Sequence, residues 1–217
     1  MTARNVFLSG GTGYMGKSLS AKLLQRGHAL SVLARAGSEA KVERGATVVP
    51  GDALDAASFA PAVPAGGTLV HLTGVAHPAP WKGPQFRAVD LVSLRASAEA
   101  ATAAGVAHFV YVSVAQPAPV MRAYIEVRQE CEQILAAAGL HRTILRPWYV
   151  LGPGHRWPVA LRPVYALLEA LPATRDGAQR LGLVTLQQMV DALVWVIEHP
   201  AEDVRIVEVP SIQNVRA

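Results

Sequence analysis

Asn5-Val6-Phe7-Leu8-Ser9-Gly10-Gly11-Thr12-Gly13-Tyr14-Met15-Gly16 is the stretch whose reading decides the fold of this chain. An apolar run of strand type ends in glycine, and helix-compatible residues from Lys17 to Arg26 follow at once. Glycine recurs at every third position, Gly10, Gly13 and Gly16. Such a turn suits a pyrophosphate. One glycine permits the tight turn, one lets the backbone approach the phosphates, and one lets helix and strand pack closely. The new helix then aims its free N–H groups and the positive end of its dipole at the anion. The spacing is G-x-x-G-x-x-G rather than G-x-G-x-x-G, so the placement between strand and helix carries the reading. The bland alternative is an ordinary strand-to-helix turn.

Outward from this turn, strand-like and helix-like segments alternate to the end of the chain. Strands are expected at Val6–Ser9, Leu30–Ala34, Thr47–Val49, Thr68–Leu72, Phe109–Val112, Thr143–Leu145 and Val204–Val209. Helices are expected at Gly13–Arg26, closed by Gly27, from about Gln85 to Ala104, closed by Gly105, at Val120–Ala138 before Gly139, and at Thr185–Glu198 before Pro200. Asp55 can cap a short helix. Several strands are unbroken apolar runs, as in sheets buried on both faces. The expected fold is therefore α/β, a doubly wound parallel sheet of Rossmann type, with ligands bound beyond the strands' carboxyl ends. Residues 1–217 read as one NAD(P)-binding-sized domain with a small substrate-side insertion at 152–183. There Pro153, Pro158, Pro163 and Pro172 break the rhythm and Trp157 and Tyr165 add apolar weight.

Composition narrows the function classes. Of 217 residues, 51% are hydrophobic and 17% charged, a globular balance. The formal charge is +4. The basic residues, mostly arginine, are scattered, whereas a nucleic-acid footprint would be clustered. The lone Cys131 excludes an internal disulfide and agrees with a reducing cytoplasm. No apolar stretch is long enough to cross a bilayer. The histidines show no metal-ligand spacing, so no metal is expected.

The residues just after each strand hold the rest of the signal. Arg35 follows the second strand, where an NAD site usually places an acid for the ribose; arginine there accommodates the 2′-phosphate of NADP. Its alternative is a solvated loop arginine. Asp52, with Ala53 beside it, follows the third strand; it either accepts from an adenine amino group or satisfies its own turn backbone. Thr73 and Gly74 follow the fourth strand, Gly74 allowing either ribose approach or a tight turn. Ser113 follows the fifth. Tyr124 and Arg128 are one helical turn apart, in a stripe that continues through Val127, Cys131, Ile134, Leu135 and Ala138. A buried arginine needs a partner. An anionic cofactor would supply one; alternatively the arginine lies at the stripe's edge with its head in water.

Taken together, Gly10 to Gly16, Gly51-Asp52, Leu72-Thr73-Gly74, Tyr111-Val112-Ser113, Tyr124 with Arg128 and Glu132, and Arg146-Pro147 leading to Gly152-Pro153 resemble the short-chain dehydrogenase/reductase superfamily. The likeness is to its atypical or extended branch, with NAD(P)H-binding, NmrA-like proteins as neighbours. It implies that Gly10, Thr12, Gly13, Tyr14, Met15 and Gly16 hold the pyrophosphate and that Asp52 and Ala53 meet adenine. It further implies that Leu72, Thr73 and Gly74 flank the cofactor and that Pro147, Tyr149 and Val150 line the nicotinamide end. Active members use serine, tyrosine and lysine. The resemblance thus makes Ser113 the group that polarises a carbonyl and Tyr124 the proton donor or acceptor. Arg128 stands where the lysine belongs. Arginine keeps the charge and can bind ribose, but it cannot lose a proton.

Two function classes follow. One is an NADP(H)-dependent oxidoreductase acting on a small apolar carbonyl, enone or quinone. The other is a non-catalytic NADP(H)-binding redox sensor that passes its state to a regulatory protein partner. Neither needs nucleic acid or a membrane.

Overall fold

The computed structural model describes residues 3–153 and 175–215. Its frame is a seven-stranded parallel sheet. β1 (Asn5–Ser9) leads through α1 (Tyr14–Gln25) to β2 (Ala29–Ala34), β3 (Thr47–Pro50) and β4 (Thr68–His71). Next come the single turn α2 (Gly83–Gln85), a π-helical turn at Phe86–Leu91, and α3 (Val92–Ala104). β5 (His108–Val112), α4 (Arg122–Ala137), β6 (Arg142–Arg146) and β7 (Tyr149–Leu151) follow. Beyond the undescribed residues stand α5 (Arg175–Arg180), β8 (Leu183–Thr185), α6 (Leu186–Glu198), β9 (Val204–Glu208) and α7 (Val209–Asn214).

The strand order is β3-β2-β1-β4-β5-β6-β9, and every neighbouring pair is parallel. The order reverses at the boundary between β1 and β4, where doubly wound sheets leave a ligand crevice. Both strand faces are apolar because both are covered. Val6 and Leu8 pack on the layer that holds Leu19, Leu23 and Leu193, while Phe7 packs on the other with Phe59, Leu94 and Phe109. Alternating residues thus serve opposite cores, which is why the sequence shows unbroken apolar runs.

Helix ends follow local chemistry. Gly27 and Gly105 sit in the left-handed region at φ +81° and +62°, just past α1 and α3. Thr185 caps α6 in a reciprocal box with Gln188. Asp55 accepts from the Ala57 N–H and caps a short 3-10 turn.

Several strand ends shift by one residue, and four larger details differ from expectation. The helix expected from Gln85 to Ala104 begins at Gly83 and contains the π turn, which buries Phe86, Asp90 and Leu91 together. The wider turn admits one more residue to the inner face than a 3.6-residue period allows. The helix expected to start at Val120 starts at Arg122, because Met121 holds a left-handed conformation (φ 63°, ψ 35°). The last strand ends at Glu208, and Val209 opens α7 with Pro210 in its first turn. The three-residue pair of β7 and β8 was not expected; strands so short carry no readable alternation. Most of the insertion expected at 152–183 lies outside the described residues.

Candidate active site

At the switch point the three glycines divide their tasks. Gly10 has φ +84°, and a Cβ there would lie 2.7 Å from the Leu72 carbonyl carbon and 2.8 Å from the Thr73 nitrogen. It therefore makes the turn and lets the ends of β1 and β4 touch. A Cβ on Gly16 would strike the Gly10 carbonyl oxygen and come within 2.6 Å of Gly11 Cα, so this glycine permits close packing of α1. Gly13 caps α1 with extended backbone and is exposed. A Cβ on it would meet only the Gly10 oxygen, at 3.3 Å, which leaves its outer side open. The first turn of α1 carries no acidic residue, so nothing opposes an anion there. Ser9 and Thr73 join their hydroxyls at 2.5 Å across the β1–β4 boundary. Thr12 and Met15 are half-buried in the turn, and the Tyr14 hydroxyl fills the space a side chain on Gly152 would need. These features fit a dinucleotide pyrophosphate: a backbone cradle, no side chains in the way, and a positive helix end.

Past β2, Arg35 is exposed and makes no ion pair among the described residues. Asp52 is exposed past β3, and its Oδ1 accepts from the Leu54 N–H at 3.0 Å, an Asx turn. That gives the turn reading its geometry and leaves the carboxylate at the surface beside half-buried Ala53.

The chemistry expected of α4 gathers around Arg128. Its guanidinium is buried, the side chain only 8% exposed. Nη1 donates to the Tyr111 hydroxyl at 3.0 Å and to the Val112 carbonyl at 3.1 Å. Nη2 donates to Asp90 Oδ1 at 2.5 Å. The other Asp90 oxygen accepts from the Val75 N–H at 3.0 Å. The arginine's partner is thus an internal carboxylate. It is neither an external anion nor water, the two expectations for this residue. Gly74 has a reason of its own here: a Cβ on it would lie 2.8 Å from Arg128 Nη2 and 3.0 Å from Asp90 Oδ1.

Tyr124 lies over this pair. Its ring centroid is 4.8 Å from the guanidinium carbon and 4.9 Å from the Phe86 ring. Burial raises the pKa of its phenol; the Arg128 charge pulls it down, and Asp90 pushes it up again. Burial likewise raises Asp90, against the pull of Arg128 and the Val75 N–H. An arginine stays charged, so we take the pair as ionised. Buried His71, beside the Tyr111 ring, is lowered to about 3, first by desolvation and then by Arg128.

Ser113 meets a second carboxylate. Its hydroxyl donates to Glu132 Oε1 at 2.6 Å, and Gln116 Nε2 donates to the same oxygen at 2.9 Å. Arg146 closes on Glu132 with two bonds, at 2.6 and 3.1 Å. The Ser113 N–H donates to the Leu145 carbonyl, and the Ala115 N–H to the Pro147 carbonyl. The segments after β5 and β6 therefore run side by side. Pro147 is buried there, and Tyr149 and Val150 are half-buried in β7.

The fold thus brings Gly10, Leu72, Thr73 and Gly74 together at the switch point, and Tyr124, Arg128 and the Ser113-bearing end of β5 at the next strands. Two features of this cluster escaped sequence reading, Asp90 and the acceptor role of Glu132. The available signal for Asp90 was an acid at position i+4 from Phe86 and i−4 from Leu94, on a face otherwise apolar. A groove of about 800 Å³ opens elsewhere, between the outer side of α1 and the start of α6; Lys22, Gly152, Thr185 and Val190 line it, and Gly13, Ser113 and Tyr124 do not.

Comparison with known proteins identifies the family and the fold. A family model described as NAD(P)H-binding matches residues 10–156. A curated relative, ceramide reductase of Caulobacter vibrioides, is 26% identical over 201 residues, covering 90% of this chain. The chain spans 61% of that relative's length. Among solved structures, the enzyme WbmH of Bordetella bronchiseptica in complex with NAD+ aligns with a TM-score of 0.68 at 19% identity, covering 91% of this chain and 73% of that one. A short-chain dehydrogenase/reductase superfamily protein of Agrobacterium tumefaciens with bound NAD aligns at 0.67 and 18% identity, covering 94% and 77%. These likenesses establish the shared fold.

Proposed function

This chain belongs to the NAD(P)H-binding family, and we propose that within it the protein is an NADP(H)-dependent oxidoreductase that reduces an apolar carbonyl, enone or quinone. The observation that carries this reading is the convergence on Arg128. The guanidinium holds the Tyr124 ring at 4.8 Å and the Val112 carbonyl, next to Ser113, at 3.1 Å. A relative named ceramide reductase supports both a reductase and an apolar substrate.

Gly10, Thr12, Gly13, Tyr14, Met15 and Gly16 hold the pyrophosphate in this reading. Arg35 takes the 2′-phosphate, Asp52 and Ala53 border adenine, and Leu72, Thr73 and Gly74 flank the ribose side. Pro147, Tyr149 and Val150 line the nicotinamide end. Arg128, whose side chain is 8% exposed, is the ribose-binding residue of this reading; its Nε is buried and has no partner among the described residues. The bound cofactor supplies hydride. Tyr124 donates its phenolic proton to the substrate oxygen and regains one from solvent. Ser113 has one proton, and it points at Glu132. It therefore meets a substrate as an acceptor, or donates only after releasing Glu132, which keeps Gln116 and Arg146. The family setting and the buried single cysteine agree with work in the cytoplasm.

The test is NADPH consumption across a panel of carbonyl, enone and quinone substrates, beside Tyr124→Phe. Turnover should fall at least about 100-fold in the variant, with NADPH affinity nearly intact. A fully active variant removes Tyr124 from the mechanism. NADPH should bind about tenfold more tightly than NADH, and Arg35→Ala should erase the difference; equal affinities in the parent chain would end the NADP assignment.

A second reading has its own observation. Arg128 and Ser113 both spend hydrogen bonds on internal carboxylates, as a non-catalytic cofactor sensor with a regulatory partner could afford to do. Such a protein consumes no NADPH on any panel member and distinguishes NADPH from NADP+ in binding.

A further inference from the structure

Asp90 is fully buried, on the one π-helical turn described, 38 residues from the arginine it binds. Its two oxygens have separate tasks. One accepts from Arg128 and the other from the Val75 N–H, so the carboxylate ties α4 to the segment after β4. Gly74 leaves just enough room, since a methyl there would press on both partners. Asp90 therefore fixes where the guanidinium lies and how much of its charge Tyr124 senses.

We infer that Asp90 is a positioning residue of this site: by spending the Arg128 charge inside the protein it keeps Tyr124 a proton donor and biases the site toward reduction. The inference rests on the oxidoreductase reading for its direction of chemistry, and on the geometry alone for the coupling. The neighbouring groups agree. Tyr111 from β5 takes the other side of Arg128, and Cys131 of α4 is buried beside Tyr111. His71 of β4 stays neutral against the Tyr111 ring. Lys82, on the turn packed against the start of α4, is committed to the Ala76 and His77 carbonyls at 2.9 Å. None of these is a free cation facing the phenol. An arginine without its carboxylate would be one, and an unopposed positive charge at this distance lowers an acid's pKa by about one to three units.

The experiment titrates the Tyr124 phenol by near-ultraviolet phenolate absorbance in the full chain without cofactor, each protein measured against its Tyr124→Phe partner. Asp90→Asn keeps the shape and removes the charge. It should move the titration down by at least about one pH unit. The alkaline limb of the reductase pH profile should move by the same amount. Gly74→Ala keeps both charges and pries the pair apart, so it should shift the titration in the same direction by less. A folded Asp90→Asn protein that titrates like the parent overturns the inference. If Asp90→Asn does not fold, an unshifted Gly74→Ala protein overturns it instead. NADPH binding, read separately by fluorescence, keeps the two claims apart: a chain that binds or turns over no NADPH sinks the oxidoreductase reading, while the titration still decides the coupling.

Discussion

The glycine turn after β1 and the helix face of α4 stand side by side at the strand ends, yet they are built on opposite plans. The turn works by leaving space. Gly13 is exposed, no acid crowds the helix start, and the proposed reading gives the binding to backbone N–H groups. The α4 face works by filling space. Arg128 Nη1 and Nη2, the Tyr111 hydroxyl, Asp90 and the Val112 carbonyl bind one another inside the core, and Arg128 Nε has no partner among the described residues. A site that holds an anion can be made of absences; a site that moves a proton needs its charges fixed. In the proposed reading, holding a dinucleotide and acting on it are thus separable properties, assigned to different residues.

The largest effect should come from the filled side. Arg128→Ala leaves the Asp90 carboxylate buried without its cation, and breaking a buried pair costs about 3–5 kcal/mol. Urea unfolding measures it, and a loss below about 1 kcal/mol would mean that water reaches the pair. The turn should split by position. Gly10→Ala meets both a positive φ and the β4 backbone, so both stability and NADPH affinity should fall. Gly13→Ala meets one contact at 3.3 Å, so its unfolding midpoint should stay near the parent's while cofactor affinity drops. The reverse result would break the contrast between the two regions.

Buried histidine sharpens it through pH. Folded His71 takes a proton only near pH 3, whereas an unfolded one takes it near 6.5. The unfolded state therefore binds more protons between these values. Stability from this group is complete above 6.5 and is lost as pH falls toward 3, at about 1.4 kcal/mol per pH unit. His71→Gln should flatten the acid side of the stability curve by that slope. Smallest of all is Arg122→Ala. Its ion pair with Glu126 lies on the same helix as Arg128 but with the arginine 92% exposed, so the change should stay within about 0.5 kcal/mol.

Where sequence reading succeeded, the cause was local. β2 was displaced by one residue at its start and β5 likewise, because apolar runs end where glycine or polar residues begin. α6 was legible as the run from Thr185 to Glu198 stopped by Pro200, and Thr185 with Gln188 caps its start. It missed β7 and β8, whose pairing bridges residues 149 and 183, and α7, whose six residues carry no full helical period. It missed the π turn for the same reason that helical periodicity assumes one period. In the candidate site, the likeness of Tyr124, Arg128 and Ser113 to catalytic residues was readable, while the carboxylates that bind Arg128 and Ser113 were not.

The sequence by itself determined the cradle. Gly10, Gly13 and Gly16 act within seven residues, through steric rules that hold wherever a strand turns into a helix, so their meaning survives without tertiary context. Only the tertiary structure decided the fate of the two α4 side chains. Arg128 finds Asp90 38 residues away, and Glu132 is shared by Ser113 and Arg146, 19 and 14 residues away. Burial makes such partners obligatory, since an unpaired charge inside a protein is too costly to keep. It does not say which distant residue will answer, because that depends on which helix turn and which strand end the fold brings together.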